Sequence, residues 1–384
     1  MEKSVGPADA ASATHQRCAF RSVSRNGGQM IKPSLNQRFE LRLLQVGIAL
    51  LLLLLAGGLS LLLSACDGLQ ATTYVVKDWK DAQSTLDKAV SGDTMDFSAL
   101  GTPDTTYTLN VPANLSLTLI GNPEVDFIGV SLDFAGSNTV TIQDLHITAA
   151  DNQAPAALQF TGKGNQLLIA GDNSVRNAPA PAETGFGAAI GVAEGVTLVI
   201  NGSGSLTAIG GSSAAGIGGG AGSNSGNITI NSGTITAQGG ELGNATGGAG
   251  IGGGSNGVAA TIIIRGGTIN ATAGDGAAGI GSGASAAGGN LEIAGGTISA
   301  VGTVGIGGGA GGADANVTFS SGSLTAQGAG NNAGDAINGV FVKLPDAYQW
   351  WAGATPDQLA VSGQNYPGAS FVDRGYAYIR IVTV

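Results

Sequence analysis

Charge is scarce in this chain. Only 11% of its 384 residues are Asp, Glu, Lys or Arg and 5% are aromatic, while 43% are hydrophobic. Intrinsic disorder needs the opposite balance, low hydrophobicity with high charge, so that class is excluded. Histidine and cysteine are rarer still, limited to His15, His146, Cys18 and Cys66. Beyond residue 66 there is no material for a disulfide framework or a cysteine nucleophile. The 67 glycines follow no strict Gly-X-Y period, which rules out collagen.

Glycine is what the chain has in excess, and it is arranged. "AAGIGGG" stands at 214–220, "GAGIGGG" at 248–254, "AAGIGSG" at 277–283 and "TVGIGGG" at 303–309. Each block is followed by two runs that read as strands. After Ile217 come "GNITIN" (226–231) and "GTITAQG" (233–239); after Ile251 come "ATIIIRG" (260–266) and "GTINATAG" (267–274). After Ile280 come "NLEIAG" (290–295) and "GTISAVG" (296–302), and after Ile306 "NVTFSS" (316–321) and "GSLTAQG" (322–328). An earlier unit begins at "AAIGVAEG" (188–195) and a degenerate last one at "DAING" (335–339). The isoleucines at 190, 217, 251, 280, 306 and 337 are 27, 34, 29, 26 and 31 residues apart. Self-similarity at such a period means stacked repeats.

Three short strands of alternating polarity per unit predict one coil of a parallel β-solenoid. Side chains alternate in and out at period two. Ile235 then points inward while Thr234 and Thr236 point out, and Leu206, Ile269, Ile298 and Leu324 repeat that placement. Ile217, Ile251, Ile280 and Ile306 plug the interior, glycines turn the corners, and the variable stretches between units are expected as loops outside the coil. Residues 67–185 carry irregular versions of the same strands, such as "YTLNV", "LSLTLIG" and "TVTIQDLHIT". Trp79, Ala82, Leu86 and Ala89 recur at helical spacing with Asp78 as N-cap, predicting a short helix over the first coil. Solenoids need covered ends. The aromatic block from 341 onward, with Tyr348, Trp350, Trp351, Tyr376 and Tyr378, reads as the other cover, ending in the strand "AYIRIVTV".

The beginning of the chain has a different character. Lys32, Arg38 and Arg42 precede an uncharged apolar run at 46–65, the layout of a secretory signal or a membrane anchor. The run ends in Leu63-Ser64-Ala65-Cys66, which resembles a bacterial lipobox. That resemblance implies lipid on Cys66, cleavage before it, and a membrane-anchored chain on the extracytoplasmic side. An uncleaved membrane helix is the alternative. Met30 is a second candidate start. Residues 1–65 carry seven Lys/Arg against three Asp/Glu; the remainder carries nine against 23. An acidic exported part of this kind repels nucleic acid. Asp67 after the cysteine resembles an inner-membrane retention signal.

The organisation read from the sequence is a leader and signal peptide (1–65), a tether (66–73), an N-terminal cap with irregular rungs (74–185), regular glycine-rich repeats (186–340) and a C-terminal cap (341–384). Over about 74–340 the "AGIGGG…GTITI…GGTITA" units resemble exported bacterial right-handed parallel β-helix proteins of the pectate-lyase-like superfamily, in particular adhesin-like or carbohydrate-binding surface lipoproteins. The fold class expected is all-β, a right-handed parallel β-helix (solenoid) with a short N-terminal helical cap and an aromatic-rich C-terminal cap.

Enzymes of this fold need chemistry that is hard to find here. A lyase requires gathered carboxylates for Ca²⁺ and a basic residue, but Asp275, Glu292, Asp314 and Asp335 fall on different units and Arg265 is the lone base among the regular ones. A hydrolase requires neighbouring carboxylates; Asp93 and Asp96 are close but read as turn residues. His146, between Leu145 and Ile147, should face solvent. No Lys-Ser/Thr follows the glycine blocks, so they are not phosphate loops. What remains is surface. Ser205/Thr207, Thr234/Thr236, Thr268/Asn270, Thr297/Ser299 and Ser323/Thr325 should form two outward columns, which suit glycan, or ice in some β-helical proteins, or simple solubility. Of Trp350 and Trp351, one should point in and one out. The expectation is therefore a non-enzymatic, adhesin-like lipoprotein, membrane-bound through Cys66. Its candidate glycan contacts are Thr234, Thr236, Thr268, Asn270, Thr297, Ser299, Trp350 and Trp351. No catalytic residue or cofactor is assigned; Ca²⁺, and a polysaccharide lyase or glycoside hydrolase, or a structural spacer, stay as alternatives.

Overall fold

A computed structural model describes residues 70–149, 156–177, 186–242, 246–329, 335–342, 344–357, 359–363, 371–372 and 376–383. They belong to one compact unit, Gln70–Val384. The leader, the apolar run, Cys66 and Asp67 lie outside the described residues.

The fold is all-β, with one short helix among the described residues and a largely parallel sheet. From Tyr107–Val111 through Thr261–Ile264 each strand pairs with the strand three places later, so three ladders run through this stretch in a solenoid-like arrangement. In one ladder Thr197–Gly202 pairs with Asn227–Ile230, and that with Thr261–Ile264. In the next, Ser205–Ile209 pairs with Thr234–Gln238, and that with Thr268–Thr272. The third joins Ala188–Val192, Ile217–Gly218, Ile251–Gly252 and Ala278–Gly281. From Asn290 the first two strands of a coil merge, giving Asn290–Val301 and Ala315–Gln327.

Period-two alternation fills the interior with columns of identical residues. Ile190, Ile217, Ile251, Ile280, Ile306 and Ile337 are in register and all buried. The same column continues backward through Leu158, Leu132 and Leu109. Each fully buried aliphatic side chain contributes about 1.5–3 kcal/mol of transfer free energy, and here every one is gripped above and below by its equivalent.

The glycines that follow Ile217, Ile251, Ile280 and Ile306 have two reasons to be glycine. Gly252 has φ +136°, a conformation L side chains rarely adopt, and a Cβ on it would sit 1.8 Å from the Gly281 carbonyl oxygen. The stacked backbones leave no room for a side chain. The connections after these glycines do not all lie outside the coil, as the sequence suggested. Ser225, Ser255 and Ser282 are buried, and Gly219 N–H and Ser225 N–H donate to Gly252 and Val258 carbonyls of the next coil. Long segments so close to the core must pair their backbone groups, and stacking equivalent loops does so.

The helix forms where the sequence placed it, over Trp79–Leu86, with the Asp78 side chain accepting from Lys80 N–H at 3.0 Å. Trp79, Ala82 and Leu86 are buried. The Trp79 ring stacks on Phe97 at 5.8 Å and meets Phe127 edge-on at 5.0 Å. At the other end the pairing changes hand of direction. Tyr378–Thr383 runs antiparallel between Leu324–Gln327 and Tyr348–Gly353. Phe319 meets Tyr348 edge-on at 5.0 Å, and the Tyr348 hydroxyl accepts from Gly322 N–H.

Candidate functional site

The outward residues of the second ladder form two columns, as their spacing predicted. Asp172, Ser205, Thr234, Thr268, Thr297 and Ser323 are in register, and so are His146, Ser174, Thr207, Thr236, Asn270, Ser299 and Thr325. Between the columns lie Leu206, Ile235, Ile269, Ile298 and Leu324, all buried, so the flanking side chains point to solvent. Thr234, Thr236, Thr268, Asn270 and Thr297 are exposed and Ser299 is half-buried. Neighbouring strands lie about 4.8 Å apart, and alternate residues along a strand about 7 Å apart. The face is thus a regular lattice of hydroxyl and amide groups.

The second column does not stop at the last repeat. Thr325 is opposite Arg380, and Arg380 is opposite Trp351. Their chain neighbours Ala326, Ile379, Ile381, Trp350 and Ala352 are all buried. Directly opposite residues share a face, so Arg380 and Trp351 extend the lattice outward from Thr325. Of the tryptophan pair, Trp350 packs into the core and is 6% exposed, while Trp351 is half-buried on the outer side. Trp350 is therefore a core residue in this fold and is placed away from the outer face; Trp351 lies on it.

Arg380 was missed in the sequence. Its strand reads plainly, but the register of an antiparallel return is outside the repeat and leaves no periodic signal.

The other end of the same face carries ionic groups. His146 is half-buried, its Nε2 3.2 Å from the Asp172 carbonyl oxygen. Asp144 accepts from Asp172 N–H at 3.0 Å, and Asp172 in turn accepts from the Ser205 hydroxyl. Arg176 Nε donates to Ser174 Oγ at 3.1 Å. Asp93 is fully buried and accepts from Thr72 N–H at 2.7 Å and Val90 N–H at 2.8 Å, a turn role as its position implied. Asp96 accepts from Ser98 N–H at 2.9 Å. Asp275 and Asp314 sit in connections of different coils, Asp335 before the strand Ile337–Val342, and Glu292 on Asn290–Val301. Among the described residues no group of three or more His, Cys, Asp or Glu gathers to hold a metal ion. Arg265 is exposed at the turn after Thr261–Ile264.

No protein-family model, no curated protein and no solved structure matches this chain. What the surface can do must be argued from its own chemistry. A lattice of hydroxyls offers donors and acceptors at fixed spacing, and a half-exposed indole beside a guanidinium offers a flat apolar platform with a polar edge. That combination suits a ligand with many hydroxyls and apolar ring faces.

Proposed function

We propose that the chain is an exported, lipid-anchored, adhesin-like protein that binds carbohydrate without cleaving it. The carrying observation is the unbroken outer strip from Thr207 through Thr236, Asn270, Ser299 and Thr325 to Arg380 and Trp351. In this reading an extended polysaccharide lies along the columns and stacks one ring on Trp351. The scaffold is a right-handed parallel β-helix like those of the pectate-lyase-like superfamily. The helix Trp79–Leu86 covers one end and the aromatic antiparallel block covers the other. Lipid on Cys66 holds the unit at the extracytoplasmic face of a membrane.

Two experiments test this. The full chain, in a detergent without sugar groups, is offered plant, microbial and host polysaccharides with and without Ca²⁺, scoring retention and new reducing ends or unsaturated uronate in the same wells. Retention without cleavage supports the reading; cleavage replaces it with a lyase or hydrolase, and silence in both channels rejects carbohydrate. Mass analysis of the mature N-terminus tests the anchor. A lipid-modified peptide beginning at Cys66 is expected, and a mature chain that keeps residues 46–65 excludes it.

A further inference from the structure

The third ladder holds a cleft that the strip does not use. The connection after Ala188–Val192 is short, Ala193–Val196, whereas the equivalent one in the next coil is Gly219–Gly226. The long form recurs in the following coils, where each loop is covered by the next. The loop Gly219–Gly226 is the first of the series, so among the described residues no connection of its own length lies beneath it. It overhangs the short turn and leaves a cleft of about 590 Å³, within the range of small-molecule sites.

The lining is specific. The floor is the backbone of Gly191 and Gly218. The Gln159 side chain lies across Gly191, with its Oε1 only 2.2 Å from where a Cβ would stand. Phe186 forms a wall and is 47% exposed, an unusual state for a large aromatic in this unit. Its carbonyl accepts from Ala221 N–H at 2.8 Å, which ties that wall to the overhanging loop. Among the described residues, Glu194 supplies the charge at the rim and no Lys or Arg lines the cleft. A site with one carboxylate and no cation rejects anions. An exposed ring and an amide instead favour a neutral polyol with an apolar ring face.

We propose that this cleft is a second carbohydrate site, which takes a short stretch of neutral glycan against Phe186 and Gln159. Its ligand class rests on the carbohydrate reading above, but its location is independent of the hydroxyl strip. The probes are xylohexaose, mannohexaose, cellohexaose and chitohexaose, with hexagalacturonate as the anionic comparison. Calorimetry and saturation-transfer NMR would use the full chain in detergent. At least one neutral hexamer is expected to bind, with affinity reduced about tenfold by Phe186→Ala and abolished by Ser223→Trp. Ser223 is an exposed wall residue, so an indole there blocks the mouth and leaves the core alone. Trp351→Ala should weaken retention on the polymer, and the part of hexamer binding that Phe186→Ala and Ser223→Trp remove should persist in it. Hexamer binding that survives both cleft variants, or is lost only with Trp351→Ala, overturns the proposal. So does a preference for hexagalacturonate, or failure of every neutral hexamer to bind a chain that still retains polymer. Loss of both hexamer and polymer binding in the parent chain rejects the carbohydrate reading itself.

Discussion

Trp351 stands directly opposite Arg380, on the outer side of the last antiparallel pair. Arg380 is in turn opposite Thr325, the final member of the hydroxyl column. Two elements far apart in sequence thus make one surface. Trp351→Ala is expected to weaken polysaccharide retention about tenfold and to shift stability by no more than about 0.5 kcal/mol. Trp350→Ala should do the reverse. Its ring is in the core, and its loss should cost about 3–5 kcal/mol, with retention preserved in whatever fraction stays folded. Affinity electrophoresis and urea denaturation of both variants separate the two roles.

The isoleucine columns make a graded prediction. Ile251 is fully buried between Ile217 and Ile280. Ile251→Ala should cost about 2–5 kcal/mol, because the stacked backbones hold the cavity open. Ile251→Val removes one methylene and should cost about 0.5–1.5 kcal/mol. Equal losses for the two would mean that the column relaxes freely.

Glycine substitutions test whether the repeats are geometry or composition. Gly252→Ala places a methyl group on a carbonyl oxygen at a positive φ, and should cost at least about 3 kcal/mol. Gly101 has nothing within 4 Å of its would-be Cβ and no positive φ, so Gly101→Ala should stay within about 0.5 kcal/mol. The urea midpoint at constant slope reports both.

These contrasts show what the sequence could tell. Repetition writes itself into sequence: Ile217, Ile251 and Ile280 share one environment, so their role, their inward direction and the threonines beside them follow from spacing. The helix was legible for a different reason, a local cap and a helical stripe at Asp78 and Trp79. Whatever breaks the repeat was not legible. Arg380 reaches Thr325 by an antiparallel return whose register no period encodes. The cleft beside Phe186 arises from a mismatch between two neighbouring connections, visible as the missing glycine block after "AAIGV" but without meaning until the coils are stacked.

Asp133 belongs to the same category, and its behaviour can be predicted. It lies on Val130–Phe134 with Asn110 opposite on one side and Gln159 on the other. Its Oδ1 is buried with no hydrogen-bond partner among the described residues. Burial therefore pushes the carboxyl above the ordinary aspartate value of 3.8. The folded chain keeps this proton over a pH window in which the unfolded chain has already released it. Stability from this group is present below the window and falls as pH rises through it, since the folded chain must then hold a desolvated carboxylate. Asp133→Asn keeps the shape and removes the titration. The variant should be more stable than the parent at pH 7, and the difference should shrink toward zero at pH 3. Urea midpoints of both proteins at the two pH values decide it. A gap that does not change with pH would mean that the amide gains its advantage by pairing with Asn110 or Gln159, and not by sparing the fold a buried charge.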